Sequence, residues 1–518
     1  MHQHTSIKTT VYQKLLKFYT QNTLFSWVWL SFAILGLINL TQLPIAWTDE
    51  IQHLDPVFNY FKLGKYASKI WPNPNANNHF LSYPPLIGNL LISWLTLFPK
   101  TIFYARLPFL IIHLSTIFLL YQYLKKNFNL SQSIALILTC LFLFDKSVFE
   151  ISRSGRVETL INFLLLLYFS NLHKKESYLP IFALSLLALS HLYIWPLVLI
   201  GIDRFISQKQ YTNPLQITIF FIPILLTFAL LQPNLIDLKS QLLFQTAKHQ
   251  SSELLAIVNF FWLKFWPYYI EQPIVPFLYI LSVFLAIKQL YLTPKKEKSS
   301  SIAAYFIILI LSQAILLAPQ MRYHSVHMLF TVLILAKELQ QIQFNKNNRF
   351  THRLFNLLPK QKNGVKTIVW VTGIGIYSAG YLTRHTIALI QYPERNPAII
   401  QTLLEKHQPE NQWVIFGEPI ADYCIANNKN AQFGLEFYPE HWQFQPNKTY
   451  FLLHRTKPHA VPFLEVIDST ASPQPLPKLL KPLGKAYTYH GLYLYKIKNQ
   501  TTWNKFFAPE NLQKITGK

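Results

Sequence analysis

Along the first 390 residues, apolar runs about as long as a bilayer is thick alternate with short polar links. At about 20 residues per crossing, the runs predict spanning helices near 24–43, 105–124, 131–148, 159–172, 178–190, 192–207, 215–233, 274–292, 302–319, 326–342 and 367–390. The stretch from Leu86 to Phe98 is shorter and follows Pro84-Pro85, which suits an interfacial or partly inserted helix better than a crossing. Beyond residue 390 the pattern changes. Short apolar runs (Trp413 to Phe416, Tyr450 to Leu453, Leu492 to Tyr495) and a helix-like stretch from Ala398 to Lys406 predict a small α/β domain.

Charge then orients these elements. Only 14% of the residues are charged and 51% are hydrophobic, which argues against a soluble enzyme, and the net charge of +24 has to be read by where it lies. With the N-terminus inside, about 20 Lys and Arg fall in the inside links and about 11 in the outside loops, so the positive-inside rule favours eleven spans. This gives a helical integral membrane protein with a transmembrane module at 1–390 and an extracytoplasmic domain at 391–518. The long outer segments are 44–104 and 234–273. In the second, Leu242, Leu243, Leu254, Leu255, Ile257, Phe260, Phe261 and Trp262 among polar residues predict an amphipathic helix at the interface. Lys8, Lys14 and Lys17 precede the first run without a small-residue cleavage site, so it reads as an uncleaved span. Two cysteines, Cys140 and Cys424, make no disulfide framework.

Acids are scarce, and they recur at outer span ends: Asp49-Glu50 after the first run, and Glu158 within Arg153-Ser154-Gly155-Arg156-Val157-Glu158. An ionisable group at that depth is costly and is a functional candidate by default. The plainer readings are a solvated acid pair ending a helix and, for Glu158, an ion pair with Arg153 or Arg156.

These residues carry a resemblance. Trp47-Thr48-Asp49-Glu50, then Phe80-Leu81-Ser82-Tyr83-Pro84-Pro85-Leu86 with Trp94, then Ala105-Arg106-Leu107-Pro108, resemble the opening of the GT-C polytopic glycosyltransferases. The branch most similar comprises protein O-mannosyltransferases and lipid A aminoarabinose transferases. Gln320-Met321-Arg322-Tyr323-His324 is similar to the Arg-Tyr element those enzymes place late in the chain. The resemblance implies transfer of a sugar from a polyprenyl-phosphate donor to a lipid, glycan or protein hydroxyl outside the cytoplasm, by single displacement with inversion. It gives Asp49 the role of general base, with Glu50 and Glu158 as supporting acids, Glu158 standing where the family commonly has Asp. A carboxylate there would take the acceptor proton as an oxocarbenium-like transition state develops.

The leaving lipid phosphate needs a cation, and arginine's planar fork suits it. Arg156 and Arg322 are the first candidates, with Arg106, Arg153 and Lys264 behind them; headgroup contact is the plainer reading for each. Many aminoarabinose transferases have Lys before Pro-Pro-Leu, where this chain has Tyr83. His53, Tyr83, His191, Tyr323 and His324 are candidate substrate contacts. His191 and Tyr193 either line the sugar pocket or belong to an aromatic belt. His324 and His327 share a helix face, and His53 and His79 lie in the first outer loop; zinc or manganese could use such groups, but no Cys cluster or His-Glu-x-x-His pattern supports it, so the expectation is no cofactor, with a divalent metal as the alternative. The expected setting is a bacterial inner membrane, with membrane lipids and no nucleic acid as partners. A transporter or flippase of lipid-linked envelope substrates is the alternative; it calls for ionisable residues near mid-span and paired repeats. The tail either helps select the acceptor or only steadies the outer loops.

Overall fold

A computed structural model describes residues 20–38, 40–41, 48–68, 80–81, 85–172, 177–207, 214–231, 237, 239–241, 271–293, 301–316, 323–344, 372–373, 375–380, 382–383, 386, 406–407, 413–416, 432–435, 450–454, 463–469, 493–497, 499–506 and 508. The predicted amphipathic stretch of 242–262 and the predicted helix 398–405 lie outside the described residues, and only fragments of the last predicted span, 367–390, lie inside them.

The chain is a polytopic helical membrane fold. Its described helices are α1 (Thr23–Leu37), α2 (Thr48–Leu63), α3 (Leu86–Leu97), α4 (Ile102–Lys126), α5 (Gln132–Leu143), α6 (Lys146–Ser152), α7 (Val157–Asn171), α8 (Leu179–Ala188), α9 (Trp195–Ser207), α10 (Pro214–Leu231), α11 (Ile274–Leu292), α12 (Ile302–Leu316) and α13 (His324–Phe344). Among the described residues, α4 and α11 are long and apolar enough to cross a bilayer on their own. Side chains such as Trp27, Leu225, Phe277 and Phe284 stand exposed on α1, α10 and α11. In water such a surface would drive association; on these helices it is the face that meets lipid.

Local chemistry sets the helix ends. Thr101 Oγ1 accepts the Tyr104 N–H at 3.5 Å to start α4, and Lys125 and Lys126 stand in its last turn, where cations favour the helix dipole. Asn22 Oδ1 gathers Tyr121 Oη, Lys125 Nζ and Gln132 Nε2, each at 2.9 Å, and so ties the starts of α1 and α5 to the end of α4. Gly64, at φ +69°, closes α2 in the left-handed conformation.

Two predicted boundaries are corrected. The run 131–148 is not one helix: α5 stops at Leu143, and Asp145 caps a new helix by accepting the Val148 N–H at 3.1 Å and the Ser147 hydroxyl at 2.5 Å. An Asp side chain that satisfies the N-terminal donors of α6 overrides the apolar run. The helix predicted at 105–124 extends further at both ends, to Ile102–Lys126.

In the C-terminal region five strands, β1 (Trp413–Phe416), β2 (Gln432–Leu435), β3 (Tyr450–His454), β4 (Glu465–Ser469) and β5 (Tyr493–Ile497), form one mixed sheet in the order β2-β1-β3-β5-β4. The β1 strand pairs parallel with β2 and β3, whereas β5 runs antiparallel between β3 and β4. A short helix, α14 (Gln500–Phe506), follows.

Candidate active site at one end of the helical bundle

The sequence puts Glu50 in the first turn of α2 and Arg106 in the second turn of α4, 56 residues apart. The fold makes them one unit. Arg106 Nε and Nη2 donate to Glu50 Oε1 and Oε2, both at 2.7 Å, and Nη1 donates to the Leu40 carbonyl at 2.8 Å. The Gly155 N–H adds a bond to Glu50 Oε1 at 2.9 Å, and both side chains are fully buried. Because the Arg106 guanidinium is spent on protein partners, its expected part as a phosphate ligand gives way to holding Glu50. Glu50 in turn fixes the start of α2, where Asp49 sits; the Asp49 side chain lies outside the described residues.

Gly155 belongs to the loop between α6 and α7, and this loop carries the second pair. Arg156 Nη2 and Nε donate to Glu158 Oε1 and Oε2 at 2.7 and 3.1 Å. Glu158 lies in the first turn of α7, where the helix dipole favours an acid. Arg153 donates from Nη2 to the Ile38 carbonyl and lies over the Phe149 ring at 5.4 Å. Burial, with Arg106 beside it, pushes Arg153 down to about 10, still charged at neutral pH.

Around Arg156 and Glu158 the chain assembles side chains that sequence spacing could not bring together. After α8 the chain makes one turn of 3₁₀ helix, Leu192–Ile194, started by His191, whose Nδ1 accepts the Tyr193 N–H at 3.3 Å. The Tyr193 ring packs against His191 at 4.7 Å and against Tyr323 at 4.8 Å, and His191 faces Tyr323 at 6.0 Å. Tyr193 is thus inside the protein and not in an aromatic belt, whereas the neighbouring Trp195 is exposed. His53, one turn along α2 from Asp49, is pushed down to about 3 by burial, with Arg156 and His191 adding to the effect, and is a neutral imidazole at pH 7. Burial, and then Glu158, push the Tyr193 hydroxyl up, so it stays protonated. Among the described residues its oxygen has no hydrogen-bond partner.

His324 lies in a second group that the sequence reading did not assemble. Its Nε2 is 4.0 Å from Asp145 Oδ2, next to a buried ion pair in which Lys146 Nζ meets Glu271 Oε2 at 2.8 Å. Gln272 Oε1 accepts the Lys146 N–H at 2.9 Å, and its Nε2 donates to the Phe144 and Tyr377 carbonyls. His327 bonds Tyr279 Oη at 2.8 Å and Gln313 Oε1 at 2.6 Å. Asp145 and Lys146 were hidden at the end of an apolar run, and Glu271 is 125 residues further on. Their low exposure is the signal, and a sequence does not carry it. Another residue passed over is His113, buried at the middle of α4 against the Phe32 and Phe142 rings, with neither ring nitrogen partnered among the described residues. Tyr83, Lys264 and Arg322 lie outside the described residues, and these contain no group of three His, Cys, Asp or Glu placed to hold a metal.

Among solved structures, that of ArnT from Cupriavidus metallidurans bound to undecaprenyl phosphate superposes with a TM-score of 0.53 over 93% of this chain and 99% of that one, at 11% identity. The chain has an ArnT-like fold. The apo form of the same ArnT gives a TM-score of 0.51 over 93% of this chain and 98% of that one, again at 11% identity. The likeness thus spans nearly the whole of both chains and agrees with the GT-C architecture implied by Asp49-Glu50 and Ala105-Arg106-Leu107-Pro108. No protein-family model matches the chain, and no curated protein matches it. What the ArnT-like fold contributes is the frame that brings α2, the α6–α7 loop, the 3₁₀ turn and the start of α13 together.

Proposed function

We propose that this protein is an integral-membrane glycosyltransferase of the bacterial inner membrane, with its N-terminus cytoplasmic and residues 391–518 outside. It moves a sugar from a polyprenyl-phosphate donor to a hydroxyl acceptor. The observation that carries the reading is the joining of the Arg156–Glu158 pair with His53, His191, Tyr193 and Tyr323, beside the helix that begins at Thr48-Asp49, on an ArnT-like frame.

In this mechanism the acceptor oxygen bonds to the anomeric carbon as the bond from that carbon to the phosphate oxygen breaks, its electron pair leaving with the phosphate. Asp49 takes the acceptor proton. Arg156, with Arg322, the residue before Tyr323 in the sequence, meets the leaving charge, because a guanidinium stays protonated in a poorly hydrated site. Glu158 orients Arg156, and Glu50, held by Arg106, positions the turn that carries Asp49.

The test is turnover of a panel of polyprenyl-phosphate sugars by the full-length protein in detergent, wild type beside Asp49→Asn, scoring released polyprenyl phosphate. Loss of a general base costs about 10²–10⁴-fold in rate. Turnover that Asp49→Asn leaves intact would move the base elsewhere, and release of no polyprenyl phosphate from any donor with an acceptor mixture present would sink the transferase reading. His113 at mid-span is the observation that favours the alternative, a flippase of lipid-linked substrates, since intramembrane ionisable groups mark transport paths. That reading requires His113-dependent movement of a lipid-linked sugar across vesicles with no cleavage of its phosphate ester.

A further inference from the structure

Resting on the transferase reading, we propose that the ring cluster of His191, Tyr193 and Tyr323 is the seat of the donor's sugar and that Tyr193 Oη donates a hydrogen bond to one of its hydroxyls.

The first observation is the unused hydroxyl. Tyr193 is 1% exposed, and its oxygen has no partner among the described residues. A buried polar group is nearly always hydrogen-bonded, so an orphan beside a candidate active site marks where a ligand atom completes the bond. The second is the surroundings. Two aromatic rings within 5 Å of each other and an imidazole at 4.7 Å from one of them give flat apolar faces of the kind that pack against the C–H face of a sugar ring. The Tyr193 hydroxyl then reads the ring's edge.

Two ligands test this with the full-length protein in detergent: bare polyprenyl phosphate and the same lipid carrying the sugar. Tyr193→Phe is expected to weaken the sugar-bearing donor about tenfold, to leave bare polyprenyl phosphate unchanged, and to keep or raise the thermal midpoint, since the lost hydroxyl has no hydrogen-bond partner among the described residues. Equal weakening of the bare lipid would make Tyr193 a structural or lipid contact and overturn the sugar seat. Absence of turnover for every donor, with wild-type binding retained, is the separate failure of the transferase reading, and the binding arm still decides the role of Tyr193.

Discussion

Two buried Arg–Glu pairs lie close together and do different work. Glu50 and Arg106 come from helices 56 residues apart, are completely buried, and are sealed by the Leu40 carbonyl and the Gly155 N–H. Arg156 and Glu158 are two residues apart at the start of one helix, and the Arg156 side chain keeps 8% of its surface open. Beside it stand His53 and Tyr193, and the Tyr193 oxygen has no hydrogen-bond partner among the described residues. The same chemistry therefore builds architecture where each guanidinium nitrogen bonds within the protein and, in the proposed function, a site where the pair keeps some surface open beside an orphan hydroxyl.

The comparison breaks most visibly if Glu50 is neutralised. Removing one partner of a buried pair leaves the other charge uncompensated, a loss of about 3–5 kcal/mol. Glu50→Gln is expected to lower the thermal midpoint of the detergent-solubilised protein more than any substitution at Arg156 or Glu158. A double-mutant cycle with Arg106→Gln should return a large coupling between the two. A midpoint unchanged within error would mean that the pair does not hold α2 to α4.

Arg156→Lys sharpens the other side. It keeps the charge and loses the fork, so donor affinity is expected to fall about tenfold while the midpoint moves less than for Glu50→Gln. The same exchange at Arg106 should reverse the ranking, costing stability first. If both exchanges acted alike on affinity, the division between frame and site would fail.

His53 adds a pH dependence. Burial first, then Arg156 and His191, hold it at about 3, while in the unfolded chain it titrates near the ordinary 6.5. Between these values the unfolded state binds a proton that the native state does not, so stability falls as pH drops from about 6.5 towards 3, by up to about 1.4 kcal/mol per pH unit. His53→Asn is expected to flatten that part of the profile. An unchanged profile would show that His53 meets water or a carboxylate.

How much of this was legible beforehand follows from sequence separation. The apolar runs gave the helices, because spanning length and lysine placement act locally. The Arg156–Glu158 pair was readable as one of the alternatives for Glu158, since two residues at a helix start have little choice but to meet. Glu50–Arg106 was not: both residues were picked out by motif, yet a pairing across two helices depends on packing, so Arg106 was assigned to the phosphate. Lys146–Glu271 escaped altogether, because Asp145 and Lys146 end an apolar run and only the cap at Asp145 reveals that the helix has broken. Tyr193 was seen, but burial alone separates a site tyrosine from a belt tyrosine.

The smallest effect belongs to a third ion pair, which serves as the control. On the C-terminal sheet Asp468 Oδ2 accepts from Lys406 Nζ at 2.9 Å and from His407 Nε2 at 2.8 Å, distances close to those of the buried pairs, but the Lys406 side chain is 67% exposed. The hydrogen bonds from Lys406, then His407, hold the Asp468 carboxyl below the ordinary carboxylate range. A depressed carboxylate contributes stability above the unfolded pKa near 4 and loses it as pH falls through the folded value, so any contribution vanishes in acid. Water and salt screen this pair, and Asp468→Asn is expected to change stability by less than about 0.5 kcal/mol, and less still in high salt. Glu50→Gln, by contrast, should be almost indifferent to salt. If both variants cost the same, or both relaxed in salt, then distance and not burial would be setting the strength of these pairs, and the contrast between the frame pair and the site pair would lose its physical basis.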